Sequence, residues 1–350
     1  MSRNTGAHRP MIRTKTALVV GPGAAGEIDL PDAREMLGRT VQALDFRRLG
    51  SDLETDDMKT LAARIEAYAI ETKVKHHELM EAAEKVRTAA RIADSIDLVL
   101  EQLAHDPHAS SVIKLAIATF TLQAESRCSL QAEPMVEGDL PLRGSENWLF
   151  QVGRIITNGV PRDEAARCLE NLVIVSFNRD RSLEHFLPHM IGMAFGMTLV
   201  EARELVSERL NITHPLGVAG HLPWATGKGG VEWGETEPSD LKQLVASIDS
   251  ASERKEHKEY LAGLRQTIAA SPRIVFLGFD FHPQDVEFLF DQPLERQPDV
   301  LGTACAMSEA MEDAITRMLQ DRAALRPDRL GLLDMRCFEL LREFNLFLES

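Results

Sequence analysis

The chain has 350 residues, 44% of them hydrophobic and 27% charged, which is enough apolar material for a sizeable core and excludes a disordered polymer. Its 54 Asp and Glu against 39 Lys and Arg give a formal net charge of −15. That balance argues against a general nucleic-acid-binding surface while leaving room for a local basic pocket that takes a phosphorylated small molecule. No apolar run approaches the roughly 20 residues a membrane-crossing helix needs. The stretch after the basic start, MSRNTGAHRPMIRTKT, is only Ala17 to Val20, too short for a signal-peptide core. A cytoplasmic protein without membrane contact is expected.

After a polar arm over 1–15, TALVV at 16–20 reads as a buried parallel strand ending at Gly21-Pro22-Gly23. A helix opens at Asp32, with Pro31 beside its first turn. From about 51 to 150 the character turns helical, with no glycine between Ser51 and Glu137. Ile92, Ile96, Val99, Leu100 and Leu103 fall on one face of a run over 89–103, and a more uniformly apolar helix covers 112–125. Asp106-Pro107 separates the two. Strands return at 172–177 (LVIVSF), 211–213, 273–279 (RIVFLGF) and 300–305. Helices lie between them from Arg181, over 199–210, over 241–271, from about Pro283 and over 309–324, and a glycine-rich loop covers 217–238. Alternation of this kind predicts an α/β fold, a parallel sheet covered on both faces. The sheet domain takes 16–50 and 151–350, and 51–150 is a helical insertion after the first β-α unit.

Four segments have the composition of ligand sites. Gly21, Gly23 and Gly26 have GxGxxG spacing after the first strand, where backbone N–H groups can approach a pyrophosphate, although Asp29 and Pro31 delay the helix. A purely structural turn fits equally well. Phe177-Asn178-Arg179-Asp180 follows a central strand, so its polar side chains serve either a ligand or the cap of the next helix. His214, with His221 nearby, follows a short strand and is either a general base or a structural loop histidine. Gly278-Phe279-Asp280-Phe281-His282 follows the strongest strand. Cys128, Cys168, Cys305 and Cys337 form no CxxC pair, which excludes a four-cysteine zinc ribbon and predicts free buried thiols, and no metal site is expected from the histidine spacing.

In this order, VVGPGAAGEIDLP (19–31), IVSFNRDRSLEHFL (174–187), ITHPLGVAGHLPW (212–224) and RIVFLGFDFHPQDVEFL (273–289) resemble the silent-information-regulator-like (sirtuin-like) family, in its bacterial members lacking the zinc ribbon. The helical pieces at 93–103 and 113–130 fit as well, so the resemblance covers about 16–345. It implies a Rossmann-like sheet that binds NAD through Gly21, Gly23, Ala24 and Ala25, with Pro31, Ser176, Phe177, Gly217, Gly278 and Phe279 as further cofactor contacts. It implies hydrolysis of NAD to nicotinamide and ADP-ribose, with Asn178 positioning water, Asp180 supporting it and His214 as the base. Relatives that hydrolyse NAD act in antiphage defence. The chain departs from the family at Pro22, Ala25 and Leu216. Those departures carry the alternative, a binding module that senses NAD or an ADP-ribose derivative and acts through a protein partner or as a homo-oligomer. Protein deacylation is not expected without the zinc module.

Overall fold

A computed structural model describes residues 12–131, 140, 147–226 and 230–349. Most of the expected polar arm, residues 1–11, and part of the glycine-rich loop, 227–229, lie outside the described residues. Six strands, β1 (Thr16–Val20), β2 (Leu172–Ser176), β3 (Asn211–Thr213), β4 (Arg273–Leu277), β5 (Asp299–Thr303) and β6 (Leu330–Leu333), form one sheet in the order β3-β2-β1-β4-β5-β6. Every pairing is parallel. β1, β2 and β4 are buried from end to end, which is why their sequences are continuously apolar rather than alternating. Leu18, Val20 and Leu277 point into one layer, and Ala17, Val19 and Phe276 into the other, so helices cover both faces. The arrangement is a Rossmann-like α/β fold.

The glycine turn after β1 runs straight into a short helix, α1 (Pro22–Gly26), so a helix does open at once. The delay applies to the longer α2 (Ala33–Ala43), whose first turn Asp32 caps by accepting the Glu35 N–H at 2.8 Å. Asp29, with φ of 62°, makes the left-handed turn between them. The helical layer continues with α3 (Asp56–Thr72), α4 (His76–Ala90), α5 (Ile96–Gln102) and α6 (Pro107–Glu125). The single amphipathic run expected over 89–103 is broken. The chain turns at 91–95, Ile92 is 86% exposed, and Ser95 caps a new helix by accepting the Leu98 N–H.

Uniformly apolar α6 is the buried centre of this layer, with Asp106 as its cap. Its core reaches past 51–150: it includes Met36 and Leu37 of α2, and Ala219, Val231, Leu244 and Ile248 from the later chain. α7 (Trp148–Thr157), by contrast, packs in the sheet's own core, with the Trp148 indole N–H donating to the Ala24 carbonyl at 2.9 Å.

α8 (Ser182–Phe195) and α9 (Leu199–Arg209) follow β2, and α10 (Pro223–Thr226) follows β3. The continuous helical stretch expected over 241–271 is three helices, α11 (Leu241–Ala246), α12 (Ala251–Glu256) and α13 (Lys258–Ala269), the first two capped by Asp240 and Ser250. α14 (Pro283–Leu289), α15 (Glu309–Ala323), α16 (Cys337–Glu343) and α17 (Asn345–Glu349) complete the chain. β6, only partly buried, was not expected. Among the described residues, no helix is long and apolar enough to cross a membrane.

Candidate functional site

Strand order reverses between β1 and β4, and the connections leaving their carboxyl ends diverge, which opens a crevice there. The two glycine turns meet at this point. The Gly21 N–H donates to the Leu277 carbonyl at 2.9 Å and the Gly23 N–H to the Gly278 carbonyl at 2.8 Å. A Cβ on Gly21 would stand 2.5 Å from the Phe279 Cα, and one on Gly278, where φ is +57°, only 2.1 Å from the Ala24 nitrogen. Both glycines therefore serve the approach of one turn to the other. Gly26 has open space around it, so nothing steric demands the third glycine of the spacing.

A cleft of about 650 Å³ lies over these turns, lined by Gly23, Phe177, Gly278 and Phe279 among others. A narrow branch of about 50 Å³ carries Ala25, Pro31, Asn178, Arg179 and Asp180. Pro22, Asp32, Asp97 and Phe177 border both. Asn178 is buried, its N–H reaches Ser176 Oγ at 3.3 Å, and its side-chain oxygen has no hydrogen-bond partner. Asp180 accepts the Ser182 N–H at 3.0 Å at the start of α8, and burial pushes its carboxyl above the ordinary range. Between them, the Arg179 guanidinium pairs with Asp97 and donates to the Asp249 carbonyl at 3.2 Å. Arg181 pairs with Glu125 of α6, both side chains almost fully buried, and so ties the β2–α8 turn to the helical layer.

His214 stands elsewhere. It lines a separate cavity of about 500 Å³ with Gly217, His221, Trp224, Arg254 and Tyr260. Its Nδ1 lies 3.0 Å from the Asn178 carbonyl and its Nε2 2.7 Å from Glu184 Oε1. Burial alone would lower its pKa, but the Glu184 carboxylate outweighs burial and holds it above the ordinary value. Burial likewise works to raise Glu184, and His214 outweighs that and holds the carboxyl low. An imidazolium donating from both nitrogens fits this arrangement, so neither nitrogen has a lone pair to offer as a base. Gly217, with φ of +78° and a Cβ position 2.1 Å from the Ser247 carbonyl, is a structural turn.

The expected residues are thus spread over the branch, the main cleft, which takes Gly23, Gly278 and Phe279, and the other cavity. Asn178 and Asp180 share the narrow branch with Ala25, Pro31 and Phe177, while His214 and Gly217 lie in the other cavity. Gly21, Ala24 and Ser176 line neither the cleft nor its branch. His282 borders the main cleft, and its Nδ1 accepts the Gln284 N–H at the start of α14. Among the described residues, no three His, Cys, Asp or Glu side chains come together as a metal site.

Two further acidic residues stand in the cleft: Asp97, not singled out in the sequence, and Asp285, which the sequence offers as a helix-start residue. Asp97 arrives from α5, and Asp285 from α14, where burial, with Asp280 and Asp97 adding to it, pushes its carboxyl up to about 8. The cleft is acidic: Glu27, Asp32, Asp94, Asp97, Asp280 and Asp285 line it against Arg34 and Arg336. Glu27 is already engaged, accepting the Cys337 and Phe338 N–H groups of α16. Compared with known proteins, the chain matches no family model and no curated relative.

Proposed function

We propose that the chain binds NAD across the crevice beyond β1 and β4 and hydrolyses its nicotinamide–ribose bond, releasing nicotinamide and ADP-ribose. The observation that carries this reading is the buried Asn178 carboxamide, whose oxygen is left without a partner at the end of a branch of the cleft. Leaving such an acceptor unsatisfied costs about 1–3 kcal/mol, so a ligand or an ordered water that completes the bond recovers that loss.

Bond cleavage sends the C–N electron pair to the pyridinium nitrogen, and neutral nicotinamide leaves. Positive charge develops on the ribose, and the ionised carboxylates of the cleft, protonated Asp285 excepted, stabilise it electrostatically. The Asn178 oxygen accepts a hydrogen from the attacking water and aims it. Asp180 holds the start of α8, and His214 holds the Asn178 carbonyl, which makes His214 a positioning residue in this reading rather than the base. The same acidic lining supports the cationic ring of oxidised NAD, while Arg34 and Arg336 are the cations of the cleft available to its phosphates. A role in antiphage defence rests on the sirtuin-like resemblance.

The test is chromatography of NAD incubated with the protein. Nicotinamide release is expected, reduced at least 100-fold in Asn178→Ala; an unchanged rate in the variant would remove Asn178 from the role given to it. The engagement of both His214 nitrogens favours a second reading, a sensor of NAD or of an ADP-ribose derivative that signals through a partner. That reading is distinguished by intact NAD together with a saturable rise in melting temperature.

A further inference from the structure

Hydrolysis of the nicotinamide–ribose bond breaks C–N and forms C–O, and one proton of the attacking water must pass to a base. Around Asn178, three candidates are already engaged. Both nitrogens of His214 are engaged. Asp180 accepts from Ser182 and is buried. Asp32 is spent capping α2. Asp97, like Asp32, borders both the main cleft and the branch that holds Asn178, and its side chain is 35% exposed. It differs from Asp32 in being held by the Arg179 guanidinium, next in the chain to Asn178, rather than by a helix N-terminus.

We propose that Asp97, delivered by the helical layer, is the carboxylate that takes the proton of the attacking water; this rests on the hydrolase reading above. Arg179 fixes it. That guanidinium is itself largely buried, holds one Asp97 oxygen, and is anchored on its far side to the Asp249 carbonyl. Because Arg179 follows Asn178 in the chain, the residue that aims the water and the residue that places the base share one turn of backbone. The Arg179 carbonyl accepts the Ala219 N–H at 2.8 Å, which holds that turn against the later chain. Position in the first turn of α5 suits an acidic residue by itself, but a helix-end preference does not require the carboxylate to border both cavities. Asp280 and Asp285 line the same cleft.

The experiment compares nicotinamide release by the full chain with that of Asp97→Asn, Asp97→Ala and Asp97→Glu. Loss of a general base slows a reaction by about 10²–10⁴-fold, and that range is expected for Asp97→Asn, with the NAD-induced melting shift kept. Added formate, a small carboxylate, is expected to restore part of the rate to Asp97→Ala and none to Asn178→Ala. Asp97→Glu, which keeps the carboxylate one methylene further out, is expected to fall between wild type and Asp97→Asn, and decides the matter if the other two fail to fold. A wild-type rate in Asp97→Asn, a loss in Asp97→Ala that formate does not relieve, or a rate in folded Asp97→Glu no better than background would overturn the role of Asp97 and leave the hydrolase reading standing. No nicotinamide from the wild-type chain would overturn both.

Discussion

His214 and Asp285 show how burial decides what a titratable side chain can do. His214 is buried against Glu184, so removing it leaves a carboxylate in the interior without its partner. Breaking a buried pair in this way costs about 3–5 kcal/mol, and His214→Ala is expected to lose about that much by urea denaturation, with His214→Gln losing less because its amide can still donate. Their shifts run in opposite directions. The support from raised His214 is lost as pH rises through its folded pKa, and that from lowered Glu184 as pH falls through its own, so the pair holds best between the two.

Asp285 behaves otherwise. Its folded pKa is about 8 against an ordinary 3.8, so the folded chain holds a proton that the unfolded chain releases. Stability is therefore expected to fall as pH rises between those values, by about 1.4 kcal/mol per unit, and to level off above the higher one. Asp285→Asn removes that slope. Urea midpoints at pH 5 and pH 8 check it: the variant gains over wild type at pH 8 and little at pH 5, and an equal difference at both would show that Asp285 is not the group responsible.

At the scale of elements, what was legible in the sequence is what depends on local pattern. β1, β2 and β4 are short continuous apolar runs because both faces of the sheet are covered, and α6 is apolar all round because other helices enclose it. Boundaries were less legible where helical composition continues through a turn. Ile92 keeps the spacing of the following helix yet lies in the 91–95 turn, exposed, and the stretch from Leu241 hides two further helix starts, one capped by Ser250 and one at His257 with no side-chain cap. β6 escaped notice because LGLL at an edge is short and only partly buried. The candidate site divides along the same line. Asn178 and Asp180 follow a strand end and were found by that position. Asp97 was not, because its place beside Arg179 depends on how α5 packs across the β2–α8 turn, a contact between residues 82 apart in sequence. The glycines were found by position and spacing, but what their packing adds is not local: Gly21 and Gly278 make room for each other's backbones, a partnership no local spacing reveals.

At the scale of the whole molecule, the helical layer and the sheet domain are bound by more than covalent linkage. The helical core is closed by α2 on one side of 51–150 and by Ala219, Val231, α11 and Ile248 on the other. Charged pairs cross the same boundary: Glu125 with Arg181 in full burial, Lys114 with Glu253 at 2.7 Å, and Asp97 with Arg179. A segment cut out as 51–150 would expose the apolar side of α3 and α6 that α11 covers, and would leave Glu125 without the arginine that neutralises it. Neither loss is small. Uncovering a single Leu side chain forfeits about 1.5–3 kcal/mol, comparable with a large part of what holds a domain of that length together. The excised segment is therefore expected to keep helical circular dichroism but to melt without a cooperative transition and to bind a hydrophobic dye, while the full chain unfolds in one step. A sharp urea transition in the excised segment would show instead that the helical layer is a domain in its own right. In that case its grip on Arg179 through Asp97 would be a docking contact, free to open without unfolding anything.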